Sequence, residues 1–257
     1  MISIDGRECS FSPGQTLLKA ARENGFFIPT LCHHPALSPY GSCRLCVVEV
    51  NKDGTSRLEA ACTYPAAEGL IIETASSRVL SLRKMILELL LARCPEAAEL
   101  KNLGKELGAQ PGRLPVSADE DCILCGLCVR ACREAVGKSA IGFTRRGPDR
   151  KVSSPFNSQS EDCLGCTACV HVCPTGAVKT VAEADSLQIP TWNTELVMAR
   201  CRTCGASYTP VKAGEHAWQL SGLPPETAGL CAPCRRRAAL AGLSGFDFTS
   251  TRVIFKK

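Results

Sequence analysis

Large aromatic rings are scarce in this 257-residue sequence, where Phe, Trp and Tyr together make up only 5%. A chain so poor in rings has little material for an ordinary core and needs another source of cohesion. Long apolar runs are also missing. The longest apolar stretch, Met85 to Ala92, is broken by Glu88, so no membrane insertion is expected. The sequence contains no G-x-G-x-x-G fingerprint, no P-loop, no H-E-x-x-H and no recognisable nucleophile–base pair. A nicotinamide or flavin site on this chain is therefore not expected. The segment Met1 to Arg7 has no basic leader followed by an apolar run, and no twin-arginine signal. That predicts a reducing, cytoplasmic setting.

What the sequence has in excess is cysteine, with eighteen residues. In a reducing compartment such a density predicts metal ligation rather than disulfides. The formal charge of +5 would suit a nucleic-acid partner, but a four-thiolate site carries about −2 with its metal, and four such sites bring the total to about −3. The basic excess balances its cargo, and no nucleic-acid partner is expected.

The pattern predicts an α+β chain of four parts. Residues 1–75 read as β-rich with one helix at Gln15–Asn24, a Pro- and Gly-rich loop from Ile28 to Cys46, and a turn at Asn51–Gly54 between strands. Residues 76–115 read as a helical connector, with Ser76 and Ser77 capping a helix to about Ala92. Leu82, Ile86 and Leu89 are its expected apolar positions, with Arg83, Lys84 and Glu88 elsewhere on its surface. Residues 116–190 contain a repeat, and 191–257 a short module with two cysteine pairs.

The repeat is Cys122-x2-Cys125-x2-Cys128-x3-Cys132 and Cys163-x2-Cys166-x2-Cys169-x3-Cys173, offset by a constant 41 residues. Three thiolates at x2 spacing can wrap one face of a [4Fe–4S] cube, and the fourth cysteine, expected to start an outgoing helix, serves the other cube. Cys122, Cys125, Cys128 and Cys173 are thus expected to hold one [4Fe–4S] cluster, and Cys132, Cys163, Cys166 and Cys169 the second. Gly126 and Gly165 are expected where side chains would crowd a cluster. Pro174 follows the last cysteine as in bacterial ferredoxins, whereas Arg133 follows Cys132. Two zinc sites are the alternative.

The N-terminal set is Cys32-x10-Cys43-x2-Cys46-x15-Cys62. One cysteine, a close pair and a distant fourth follow the logic of a plant-type [2Fe–2S] site, with a wider first gap; zinc is the alternative. The segment PTLCHHPALSPYGSCRLCVVEV, residues 29–50, is similar to the N-terminal domain of the large iron–sulfur subunit of respiratory complex I. That domain also occurs in the diaphorase part of NAD-linked hydrogenases, in iron-only hydrogenases and in NAD-dependent formate dehydrogenases. The resemblance continues through Arg83 to Leu91 and Asp121 to Gly126, and so covers about residues 1–185. It implies a β-grasp [2Fe–2S] domain followed by a bacterial-type 2[4Fe–4S] domain. It also implies partners: a flavin subunit that handles NAD(H), and a catalytic oxidoreductase subunit with a molybdenum, tungsten or nickel–iron site. The family usually has one His and three Cys after the helix that ends near Ala92, binding a further cluster. Here residues 93–100 contain only Cys94, so that cluster is expected to be absent and Cys94 to be a buried thiol.

Cys201-x2-Cys204 and Cys231-x2-Cys234 are two knuckles that suit a structural, zinc-ribbon-like site of four cysteines, with iron as the alternative metal. Arg235–Arg237 reads as a solvated helix face, or as a surface for an acidic partner. His33, His34, His171 and His216 are not needed as ligands, and Cys9 reads as a small core residue. The function expected is an electron wire with one [2Fe–2S] and two [4Fe–4S] clusters. A freely diffusing multi-cluster ferredoxin or an iron–sulfur redox sensor are the alternatives.

Overall fold

A computed structural model describes residues 1–115, 121–222 and 228–242. The chain forms two units, Met1–Asn157 with Thr167–Lys179, and Ser158–Cys166 with Thr180–Lys257.

The first unit starts with strands β1 (Ile2–Ile4) and β2 (Arg7–Cys9), then helix α1 (Leu17–Glu23). Asp5 and Gly6 join the strands with φ of 48° and 80°, the pair of left-handed residues a two-residue hairpin requires. Thr16 caps α1, its hydroxyl accepting from the Lys19 N–H. Strands β3 (Val47–Lys52) and β4 (Thr55–Ala60) form a second hairpin over Asp53 and Gly54, and β5 (Ile71–Glu73) completes a sheet of order β2-β1-β5-β3-β4. β1 and β5 run parallel; the other neighbours are antiparallel. Ile2, Ile4, Val48, Val50 and Ile72 face Leu17 and Leu18 of α1 in one buried cluster.

Helix α2 (Ser77–Arg93), capped by Ser76, leads to α3 (Ala98–Glu106). Its buried residues are Val79, Arg83, Leu87, Glu88 and Leu91, while Leu89 is exposed. Of the expected apolar positions, Leu82 and Ile86 are half-buried and only Leu89 is corrected; the inward face is shifted because Arg83 and Glu88, read as surface residues, point inward and make hydrogen bonds there. Helix α4 (Leu127–Arg130) runs into a π-type turn at Ala131–Ala135, followed by the hairpin β6 (Gly142–Thr144) and β7 (Lys151–Ser153) and by α5 (Ala168–His171). Leu31, Leu37 and Leu45 of the cysteine loop, Leu87 and Leu91 of α2, Leu100 of α3, and Ile123 and Leu127 form a second core.

The second unit holds an antiparallel sheet of β8 (Val181–Ala182), β9 (Ser186–Ile189), β10 (Thr194–Arg200) and β11 (Ser207–Pro210), in the order β11-β10-β9-β8. Helices α6 (Val211–Ser221) and α7 (Ala232–Gly242) follow. Leu187, Ile189, Trp192 and Leu196 are its buried apolar residues around the sheet. Among the described residues, no helix is long and apolar enough to cross a membrane.

Candidate metal centres

Pairing of β3 with β4 sets Val47 opposite Ala60, and the Ala61 N–H donates to the Cys46 carbonyl at 3.1 Å. This brings Cys46 and Cys62 together at one end of the hairpin. The preceding loop returns Cys32 to Cys43, whose N–H donates to the Cys32 sulfur at 3.4 Å. All four sulfurs are buried and feel one another. Hydrogen bonding from the Cys43 thiol lowers Cys32 to about 6, and Cys62 does the same for Cys46, lowering it to about 7. Cys43 and Cys62, the donors, are pushed up correspondingly. The pocket favours the thiolate form at Cys32 and Cys46, and a cationic centre among the four would draw off the remaining protons.

In the repeat, both cysteine loops adopt the same backbone 41 residues apart. Leu124 and Gly126 have φ of 54° and 73°; Gly165 and Thr167 have 72° and 58°. Each copy thus carries two left-handed residues, one of them glycine, in swapped order. Each then starts a four-residue helix at the next position, α4 and α5. The expected helix starting at the fourth cysteine is corrected. The helix begins before the third cysteine, Cys132 lies in the π-type turn and Cys173 lies beyond the end of α5. The left-handed residue at the helix start reverses the chain early, so the helix precedes the final cysteine rather than following it. Burial raises Cys125 to about 12 and pushes Cys128 up as well, with Cys122 and Cys173 contributing at both. Those four cysteines are neighbours in the first unit. Cys163 and Cys166 fall in the second unit and Cys169 in the first.

Protein side chains approach both loop glycines closely. A Cβ on Gly126 would meet the rings of Tyr40 and Phe143 at 3.1 and 3.2 Å, and one on Gly165 would meet Leu196 at 2.5 Å and Pro210 at 2.8 Å.

The Cys32–Cys46 loop packs directly on the Cys122 loop. Ser42 donates to the Leu124 carbonyl at 3.2 Å, and the Ser38 N–H donates to Glu134 at 2.8 Å. Arg130 donates to the carbonyls of Cys32 and Ser38, both at 2.5 Å. Arg93, at the end of α2, donates to the Cys122 carbonyl at 2.8 Å. Two of the arginines in this unit are deeply buried, Arg83 at 4% and Arg130 at 3% exposure. Arg83 donates to the Val47 carbonyl at 2.7 Å. Neither is paired with a carboxylate among the described residues, and both have a buried Nε without a partner. Buried cations without counter-charge are costly. Groups of four thiolates bearing net negative charge beside them supply that counter-charge, so these residues fit iron–sulfur clusters.

The C-terminal knuckles converge fully. Cys201 follows β10, Cys204 lies across a tight turn closed by the Gly205 N–H on the Cys201 carbonyl at 2.9 Å, and Cys231 and Cys234 frame the start of α7. All four sulfurs lie within 4.8 Å of one another. Tetrahedral thiolate sites with metal–sulfur bonds of about 2.3 Å space their sulfurs about 3.8 Å apart; Cys204 and Cys231 are 3.7 Å apart. Backbone donation from Cys231 lowers the Cys201 thiol to about 6. The following arginines are partly engaged: Arg237 donates to the Cys234 sulfur at 3.1 Å and Arg235 to the Leu230 carbonyl at 3.2 Å.

Two family profiles match the chain, a 2Fe-2S iron-sulfur cluster binding domain over residues 1–77 and a 4Fe-4S dicluster domain over 121–177. The gamma subunit of the NAD-reducing hydrogenase HoxS of Cupriavidus necator is 31% identical, the match covering 59% of this chain and 74% of that protein. The chain belongs to that protein's family. It is an iron–sulfur electron-transfer subunit, with a [2Fe–2S] domain and a [4Fe–4S] domain. The G 2 subunit of the NADH-quinone oxidoreductase of Rhizobium meliloti is 33% identical over 59% of this chain. The alpha subunit of the NADPH-Fe(3+) oxidoreductase of Geobacter sulfurreducens is 34% identical over 57%. The chain spans only about a fifth of each of these two, 21% and 20%. A crystal structure of NAD+-reducing [NiFe]-hydrogenase in the H2-reduced state contains a chain that is 27% identical, with a TM-score of 0.60. That match covers 84% of this chain and 95% of the other.

Within this electron-transfer subunit, sequence reasoning located the cysteines and missed the arginines. Arg83 and Arg130 look like surface charges in a basic chain, and only their position among apolar helix residues or between two cysteines hinted otherwise. Cys9 and Cys94 are both buried. His34 accepts from the Ala36 N–H, and His33 lies 3.4 Å from Arg22, its imidazole shifted below the ordinary range by burial and by that charge.

Proposed function

We propose that this chain is the electron wire of a cytoplasmic multi-subunit oxidoreductase. It links a flavin subunit that handles NAD(H) to a metal-containing catalytic subunit such as a hydrogenase or formate dehydrogenase. The observation that carries the reading is the direct packing of the Cys32–Cys46 loop on the Cys122 loop, in a chain kin to an NAD-reducing hydrogenase subunit. Cys32, Cys43, Cys46 and Cys62 hold a [2Fe–2S] cluster in a β-grasp domain, a reading supported by the sheet order and its covering helix. Cys122, Cys125, Cys128 and Cys173 hold one [4Fe–4S] cluster, and Cys132, Cys163, Cys166 and Cys169 the other. When bound, these groups accept and donate single electrons.

The chain's own residues keep water out and hold the two loops in contact. With only Cys94 in the segment where a further cluster would bind, no further cluster stands between the first two sites. Cys201, Cys204, Cys231 and Cys234 hold a structural zinc in a zinc-ribbon-like module, supported by the convergence of their sulfurs. The test is purification from a native extract. The chain is expected to elute with flavin-containing and catalytic subunits, and alone to be reduced by dithionite yet to oxidise no NADH. A lone species near the chain's mass, or substrate-linked NADH oxidation by the chain itself, would contradict the proposal.

A further inference from the structure

Arg130 stands at the seam between the [2Fe–2S] loop and the first [4Fe–4S] loop. It closes α4 between Cys128 and Cys132, and its guanidinium reaches across to the carbonyls of Cys32 and Ser38. Cys32, Cys43, Cys125 and Ala131 share the buried apolar cluster around this seam. The Tyr40 ring covers the guanidinium, with its centroid 5.2 Å from Cζ, and Tyr40 in turn stacks on Phe143 at 6.4 Å. At 3% exposure and without a carboxylate partner among the described residues, Arg130 carries a charge that solvent screens poorly. By contrast, Arg83 makes its contact at Val47, beside Cys46, and Arg133 is exposed and paired with Glu134.

We propose that Arg130 is the positioning residue that sets the electron affinity of both sites at this seam at once. Its charge favours the extra electron on either side, and its two hydrogen bonds fix the spacing between the loops. Transfer across the seam moves one electron from one site to the other; no bond changes and Arg130 keeps its proton. A cation near both sites stabilises each reduced state, because reduction adds one negative charge there. Arg83, whose contact is at Val47 beside Cys46, acts on the [2Fe–2S] site alone. The inference rests on the ligand assignments proposed above.

The test is an anaerobic redox titration of the full chain followed by EPR, comparing wild type with R130Q, R130K, R83Q and R133Q. Wild-type spectra without both kinds of signal would refute the ligand assignments themselves. With both present, R130Q is expected to lower the midpoint potential of the [2Fe–2S] signal and of a [4Fe–4S] signal, while R130K stays near wild type. R83Q is expected to lower only the former, and R133Q neither. Unchanged potentials in R130Q, or equal shifts in R130Q and R130K, would overturn the role of charge. If R130Q does not assemble its clusters, Y40A decides. Exposing the guanidinium to solvent should shift both signals downward by less, and no shift would overturn the proposal.

Discussion

Gly165 has room for a hydrogen and nothing larger. Its φ of +72° disfavours any side chain, and a methyl there would press on Leu196 and Pro210 at 2.5 and 2.8 Å. G165A is expected to cost about 2 kcal/mol or more, since both overpacking and a left-handed backbone penalise it. Gly126 shares the left-handed backbone at φ +73°, but its obstructing atoms are the rims of two rings, which can tilt, so G126A is expected to cost less than G165A, about 1–2 kcal/mol. Thermal denaturation of the two variants checks the order. Cys94 gives a different expectation. It is buried beside Leu100 and Leu91 but has no companion cysteine in its segment. C94A should lose about 1 kcal/mol of stability and no iron, and iron analysis of the purified variant measures it.

At the scale of elements, α2 is fastened by polar groups on its buried side. Burial would raise the Glu88 carboxyl, but Arg113 and the Gln110 N–H hold it below the ordinary range. A carboxyl lowered by folding adds stability that is full above its unfolded value, about 4.3, and is lost as pH falls through the lower folded value. E88Q is therefore expected to reduce stability at neutral pH and to flatten the decline in melting temperature below about pH 4.3. A decline as steep as wild type's would contradict this.

The same helix shows what could be read from sequence. Its Ser76 cap and its extent followed from spacing and capping residues. Its inward face did not, because Arg83 and Glu88 carry charge and only tertiary partners draw them inside. The sheet at Val181–Pro210 was also unreadable, since the strand Thr194–Arg200 mixes Glu195, Met198 and Arg200 with its buried Thr194 and Leu196. The cysteine sets were legible because metal chemistry fixes spacing directly in sequence. The arginines beside them were not, because their role depends on burial.

For the molecule as a whole, the proposed metal sites would take the place of missing aromatic core. Around the C-terminal cysteines the buried cluster consists of Cys201, Leu230, Cys231 and Cys234, with Tyr208 against it. A strong chelator, or C231S, is expected to melt this module at markedly lower temperature. EPR signals from the proposed [2Fe–2S] and first [4Fe–4S] sites should persist, as the cysteines proposed for them lie in the first unit. Loss of every signal together would contradict that separation.

The proposed wire has three clusters, its [2Fe–2S] and first [4Fe–4S] sites direct neighbours with no cluster between them. Iron and acid-labile sulfide analysis of the anaerobically purified chain, read with EPR of the reduced protein, tests it most directly. One [2Fe–2S] and two [4Fe–4S] clusters predict about ten irons and about ten sulfides per chain, with both kinds of signal present. A count near fourteen irons, or one near six, would contradict it.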